Sequence, residues 1–181
     1  MEGRTAYKLV SLVILTALSI NFIDGKTTES KCTLQSFSKC NCKWKHEKLT
    51  ELNCTNTDIT VAEEFPNQTL PQTLVKITFS QNTMEILSRS FFGRNCSESN
   101  KMDKLTYLDV SGNYLKYIQP DFFTCTPNLK SLVISDNDLA VETLNNVFAP
   151  LVELKMLKMQ QSFKQLHNHD FIEFFPMFGN D

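Results

Sequence analysis

Six cysteines and three histidines are the residues of this 181-residue chain whose types could do chemistry. Cys32, Cys40, Cys42 and Cys54 crowd together, and Cys96 and Cys125 follow at a distance. Clustered cysteines either hold zinc as thiolates or are oxidised to disulfides. The spacing C-x7-C-x-C-x11-C contains no C-x-x-C pair, which argues against zinc. His167-Asn-His169-Asp170 has metal-binding residue types but no spaced partner, and His46 lies in the solvated stretch Lys43-Trp-Lys-His-Glu-Lys48. No nucleophile elbow, Gly-rich phosphate loop or H-E-x-x-H helix is present. The sequence therefore offers no catalytic residue, no metal site and no cofactor, and an enzyme is not expected. Disulfides are the chemistry that remains, although Cys40 and Cys42, one residue apart, are poorly placed to bond each other.

Disulfides need an oxidising compartment, and the N-terminus provides a route to one. Arg4 and Lys8 precede the apolar run Leu9 to Ile23, the pattern of a secretory signal peptide and too short for a spanning helix. Cleavage is expected after Gly25, with Ser19 as the alternative, and residues 1–25 form the signal segment. Their removal takes two bases and two acids and keeps all six cysteines. Nothing after Ile23 approaches about 18 consecutive apolar residues, so no second membrane span is expected. The full chain has 18 Lys+Arg against 20 Asp+Glu, a net charge of −2. That balance carries no basic footprint for nucleic acid. With 41% hydrophobic residues, the chain has material for a core.

The elements that position the cysteines are set by a repeat. Leu105-Thr-Tyr-Leu108-Asp-Val110-Ser-Gly-Asn113-Tyr-Leu115 has the form L-x-x-L-x-L-x-x-N-x-L. It recurs at Leu129-Lys-Ser-Leu132-Val-Ile134-Ser-Asp-Asn137-Asp-Leu139 and is anticipated at Leu74-Val-Lys-Ile77-Thr-Phe79-Ser-Gln-Asn82-Thr-Met84. Leu154-Lys-Met-Leu157-Lys-Met159 begins a fourth copy, with Ser162 where Asn is expected and Lys164 where Leu is expected. Each copy alternates inward and outward residues as a half-buried strand does, and stacked parallel copies would cover each other's apolar edges. Asn82, Asn113 and Asn137 are expected to point inward and bond backbone groups of neighbouring turns. Fourteen Phe residues stand out in the composition. Phe92, Phe123 and Phe148 fall on the return limbs, where a large ring fills the wedge between strand and outer side.

This pattern resembles the leucine-rich repeat family, and its style, most of all over 105–123, is similar to Toll-type receptor ectodomains and animal adhesion proteins. The resemblance implies an α/β solenoid, a short horseshoe arc with parallel strands on its concave face. The cluster Cys32 to Cys54 resembles the N-terminal cysteine cap of extracellular members, with looser spacing than usual. The resemblance implies crossed pairs, Cys32–Cys42 and Cys40–Cys54, sealing the end of the solenoid. For Cys96 and Cys125, on successive return limbs, a bridge is expected, two thiols being the alternative. The organisation is then a signal peptide at 1–25, a cap at 26–59, repeats at 60–165 and a degenerate segment at 166–181. No cysteine follows Cys125, so the family's C-terminal cysteine cap is missing. Either Phe171–Phe178 closes the end or the chain continues beyond Asp181.

Outward strand residues form the concave face in this family. One column reads Glu51, Lys76, Tyr107, Ser131 and Met156, the next Asn53, Thr78, Asp109, Val133 and Lys158, and a third Thr55, Ser80, Ser111, Ser135 and Gln160. Tyr107 is the aromatic anchor, and Lys76, Asp109 and Lys158 complete the expected ligand-binding set. Sequons at Asn53, Asn67 and Asn95 mark glycosylation acceptors, Asn67 being the best placed. The family likeness implies an extracellular recognition module, a truncated Toll-like receptor ectodomain or secreted decoy in innate immune or developmental signalling. Its partner would be a protein or microbial ligand, with a second copy of the chain as a further candidate. The alternative is a structural matrix or cell-adhesion protein. Five strands about 4.8 Å apart and about 15 Å long present roughly 360 Å² of concave face. A standard partner buries about 800 Å² per side, so the arc is short for a tight binder.

Overall fold

A computed structural model describes residues 27–34, 37–59, 69–92, 101–144 and 146–163. The fold follows from the period of the repeat. In each copy the apolar residues at the fourth and sixth positions point inward: Leu108, Val110, Leu132 and Ile134 are all fully buried. A three-residue strand centred on the fourth position pairs with the same strand of the next turn. These strands are β4 (Lys76–Thr78), β6 (Tyr107–Asp109), β8 (Ser131–Val133) and β9 (Met156–Lys158). They run parallel in the order β4-β6-β8-β9.

The cap is built into this sheet. Strands β1 (Thr28–Lys31), β2 (Asn41–Lys45) and β3 (Lys48–Asn53) form an antiparallel meander, and β3 carries the parallel array, giving seven strands. Cys32 is bonded to Cys42 and Cys40 to Cys54, and all four are buried. Cys125 is fully buried and disulfide-bonded. Cys96 lies outside the described residues, as do the signal segment, Asn67, Asn95, Lys164, His167, His169 and Asp170.

An asparagine ladder closes the bend after each strand. Asn82 Nδ2 donates to the carbonyls of Phe79 in its own turn and Cys54 in the preceding one, while its Oδ1 accepts from the N–H groups of Thr57 and Ile59. Asn113 and Asn137 repeat the arrangement one and two turns on. The residue before each rung takes a left-handed conformation: Gln81, Gly112 and Asp136 have φ of 56°, 60° and 55°. In the last turn Ser162 stands on the rung. Its hydroxyl donates to the Ile134 carbonyl, and its own carbonyl accepts the Leu139 N–H. Phe163 then forms a parallel bridge to Leu139, one residue earlier than the strict repeat spacing.

The return limbs are short. Residues Arg89–Phe92, Phe122–Cys125 and Val141–Leu144 form 3-10 turns, and β5 (Ile86–Leu87) pairs with β7 (Tyr117–Ile118) in a second small parallel sheet. Aromatic rings run through the interior in one chain of contacts from Phe37 to Phe79, Phe91, Phe122, Phe123 and Phe148, with Phe92 stacked on Phe122. The spine therefore uses both rings of each Phe-Phe pair and reaches into the cap. Arg89 and Asp121 form an ion pair linking two successive limbs.

Candidate functional site: the concave face

The sheet register places the outward side chains in rows across the strands. One row runs Glu29, Lys43, Glu51, Lys76, Tyr107, Ser131, Met156. The next runs Lys31, Asn41, Asn53, Thr78, Asp109, Val133, Lys158. With the cap strands included, seven strands at about 4.8 Å spacing and about 15 Å length present roughly 500 Å².

At the cap end, charges alternate and neutralise one another. Lys43 Nζ lies 2.8 Å from Glu51 Oε1. The Glu51 hydrogen bond, then its charge, raises the lysine pKa above 10.5, and Glu29 on the other side adds to this. In the centre, Lys76, Tyr107 and Asp109 form one cluster. The Lys76 ammonium sits 4.6 Å from the centroid of the Tyr107 ring, a cation–π geometry. The Tyr107 hydroxyl donates to Asp109 Oδ2 at 3.3 Å, and Asp109 Oδ1 accepts from the Ser111 N–H and hydroxyl at 3.0 and 2.6 Å. Burial, followed by the Asp109 charge and hydrogen bond, raises the Tyr107 pKa above 10.0. Tyr107 is therefore a neutral, half-buried aromatic held in one orientation, with its charged neighbours partly occupied by it.

Lys158 is not part of this cluster. It stands two strands beyond Asp109, with Val133 between them in the register. Asn53, the described sequon asparagine, is exposed at the end of β3, and its Oδ1 accepts from the Thr55 N–H and hydroxyl.

A further column, ahead of the strands, was not read from the sequence. Backbone hydrogen bonds stack Thr50, Val75, Thr106, Lys130 and Lys155 at the entrance to the concave face. The signal was available as the residue after the first Leu of each copy. On β4, β6, β8 and β9 the column lies just before the strand, where alternation does not reach, and at Thr50 a β-bulge opposite Lys43 and Trp44 interrupts it. Among the described residues, no group of three or more His, Cys, Asp or Glu is arranged to hold a metal ion, and no helix is long and apolar enough to cross a membrane.

Parallel strands stacked at one per turn, bent by buried asparagines and started by a disulfide-bonded cap, define a solenoid with one exposed sheet face. Residues 101–162 match the family model "Leucine rich repeat". Residues 101–162 are thus leucine-rich repeats, a kind of module that typically binds proteins. Two solved structures are similar. One is the crystal structure of the Drosophila melanogaster SNF/U2A' complex, 15% identical, with a TM-score of 0.48, covering 76% of this chain and 65% of that one. The other is the BIR2 ectodomain from Arabidopsis thaliana, 23% identical, with a TM-score of 0.44, covering 68% of this chain and 60% of that one. The chain thus spans less than two thirds of the length of either. No curated protein matches the sequence.

Proposed function

We propose that this module is extracellular and binds a protein ligand on its concave face, in innate immune or developmental signalling, as a secreted decoy or as part of a Toll-type receptor ectodomain. The observation that carries the reading is Tyr107, the aromatic on the fifth of the seven strands, held half-buried between Lys76 and Asp109. An oriented aromatic at the centre of a polar surface is the usual anchor of a protein interface. The two cap disulfides support an oxidising compartment. A signal peptide at 1–25 and glycans at Asn53, Asn67 and Asn95 belong to the same proposal. A glycan on Asn53 would stand on the cap half of the concave face and confine a partner to the other half.

Glycan wedges test this directly. Ser131→Asn with Val133→Thr creates a sequon on the concave face, one strand from Tyr107, and Asp138→Asn with Ala140→Thr creates one after the strand. Both proteins, made in a secretory host, are tested against a panel of secreted and cell-surface ectodomains. An ectodomain bound by the native protein and the Asp138→Asn variant but not by the concave-glycosylated one supports the proposal. Absence of any bound ectodomain, or binding that survives the concave glycan, contradicts it.

A further inference from the structure

The sheet ends on β1, and the outer edge of that strand has no neighbour among the described residues. All of its residues, Thr28 to Lys31, are exposed. It pairs antiparallel with β2: Thr28 lies opposite Trp44, Glu29 opposite Lys43, Ser30 opposite Cys42 and Lys31 opposite Asn41. The Cys32 N–H continues this ladder by donating to the Cys40 carbonyl at 3.2 Å. Backbone groups of an antiparallel strand turn alternately to its two sides. Those of Thr28, Ser30 and Cys32 are therefore directed at β2, and the N–H and C=O of Glu29 and Lys31 face away from the sheet. The side chains of Glu29 and Lys31, two residues apart, share the concave face. Glu29 lies beside Lys43, whose pKa its charge helps to raise, and the Lys31 ammonium donates to the Lys39 carbonyl at 3.3 Å. Neither residue is in an ion pair among the described residues.

We infer that β1 is the docking edge for β1 of a second copy of this chain, paired antiparallel about Ser30, so that the two sheets join into one. Backbone and charge select the same register. With Ser30 opposite Ser30 of the second copy, the outward backbone groups of Glu29 meet those of Lys31 on the other chain. Each such pair exchanges both N–H···O bonds. The two-fold axis makes the match twice, so that opposite charges lie directly across the strands on the concave face. Centring the pairing on Glu29 or on Lys31 instead would set a charge against its own kind. A row of like charges protects an edge strand from such pairing; one acid and one base two residues apart favour it. The opposite edge, β9, lacks this complement, since pairing about Leu157 sets Met156 against Lys158 of the second copy. The concave rows then run from one copy into the other and double the face, from roughly 500 Å² to roughly 1000 Å². That exceeds the about 800 Å² per side of a standard interface. The inference adds a partner to the recognition reading and stands apart from it, since the edge is self-complementary whether or not the face holds a ligand.

Sedimentation equilibrium on the chain made in a secretory host reads the association. An edge contact is a small interface, so dimer should appear between about 10 μM and about 1 mM, and the closed two-fold pairing should form nothing larger. Glu29→Lys sets like charges across the axis, as does Lys31→Glu, and each alone should weaken the dimer by about tenfold or more. An equimolar mixture of the two variants restores both opposite-charge pairs and should recover association, as the heterodimer, to within about threefold of the native affinity. The double variant Glu29→Lys with Lys31→Glu restores the same pairs within one chain and should dimerise on its own. Recovery in either case also shows that the reversals leave β1 in place. A native chain that stays monomeric at about 1 mM, single reversals that leave the dimer intact, or no recovery in both the mixture and the double variant overturns the inference. A strictly monomeric chain that still binds an ectodomain on its concave face would overturn it while leaving concave-face recognition intact.

Discussion

Replacement of Asn113 by Ala tests the physical basis of the solenoid. Asn113 Nδ2 donates to the carbonyls of Phe79 and Val110, each at 2.9 Å, and Oδ1 accepts the Met84 N–H at 3.2 Å. The consequences differ by group. The Phe79 carbonyl still receives Asn82 at 3.0 Å and the Val110 carbonyl still receives Asn137 at 3.2 Å, so each loses one of two bonds. The buried Met84 N–H loses its acceptor. An orphaned buried donor costs about 1–3 kcal/mol, and each of the two lost bonds about 0.5–1.5 kcal/mol, so Asn113→Ala should destabilise by about 2–6 kcal/mol. Ser162→Ala supplies the contrast. Ser162 is as buried as Asn113, but its hydroxyl donates to an Ile134 carbonyl that Asn137 also serves at 2.7 Å. The Leu139 N–H is held by the Ser162 backbone carbonyl, which any residue retains. That substitution should cost about 1 kcal/mol or less. Guanidinium unfolding followed by circular dichroism, with disulfides intact, measures both. Equal losses for the two variants, or less than about 1 kcal/mol for Asn113→Ala, would refute the argument that orphaned groups and not burial set the ranking.

Other expectations follow from particular contacts. Gly112→Ala forces a Cβ into a left-handed residue at φ 60°, and the new atom meets Gln81 Cγ at 3.4 Å; a loss of about 1–2 kcal/mol is expected in the same unfolding assay. Cys40→Ser with Cys54→Ser opens a bridge of sequence separation 14 and should cost about 3 kcal/mol at the cap. Phe122→Ala removes the ring that touches Phe91, Phe92 and Phe123 and should cost about 3–5 kcal/mol. Because the folded Tyr107 pKa is raised above 10.0, the unfolded chain loses this proton first, and stability falls as pH rises from 10.0 through the folded value. Asp109→Asn should bring the phenol's ionisation downward, read at about 295 nm as the difference between each protein and its Tyr107→Phe counterpart; an unchanged midpoint would remove Asp109 as a cause.

Much of the fold was legible because a solenoid repeats its physical solution at fixed offsets. Leu108, Val110 and Asn113 recur at Leu132, Ile134 and Asn137, and the same offsets give the strand register. Tyr107, Lys76 and Asp109 could be placed on one face for the same reason. Features outside the repeat were hidden. The strand β1 is exposed along its whole length and carries no alternation of apolar and polar residues, so nothing marks Glu29 as part of the sheet. Ser162 can stand on the rung because the Leu139 N–H is taken by its backbone carbonyl, an acceptor that every residue type has, so no side-chain pattern marks the last turn. Lys130 and Lys155 escaped because they precede the strands, where period-two alternation does not hold.

The central claim is that the concave face, anchored on Tyr107, is where a protein partner binds. The most direct measurement is the affinity of an ectodomain bound by the native protein, compared for Tyr107→Ala on the concave face and Val152→Glu at the most exposed large apolar residue among those described, which is 82% accessible. A central aromatic anchor is worth about 2 kcal/mol or more, so Tyr107→Ala should weaken binding by about thirtyfold while Val152→Glu leaves it within about twofold. Unchanged affinity for Tyr107→Ala together with a loss for Val152→Glu would contradict the account.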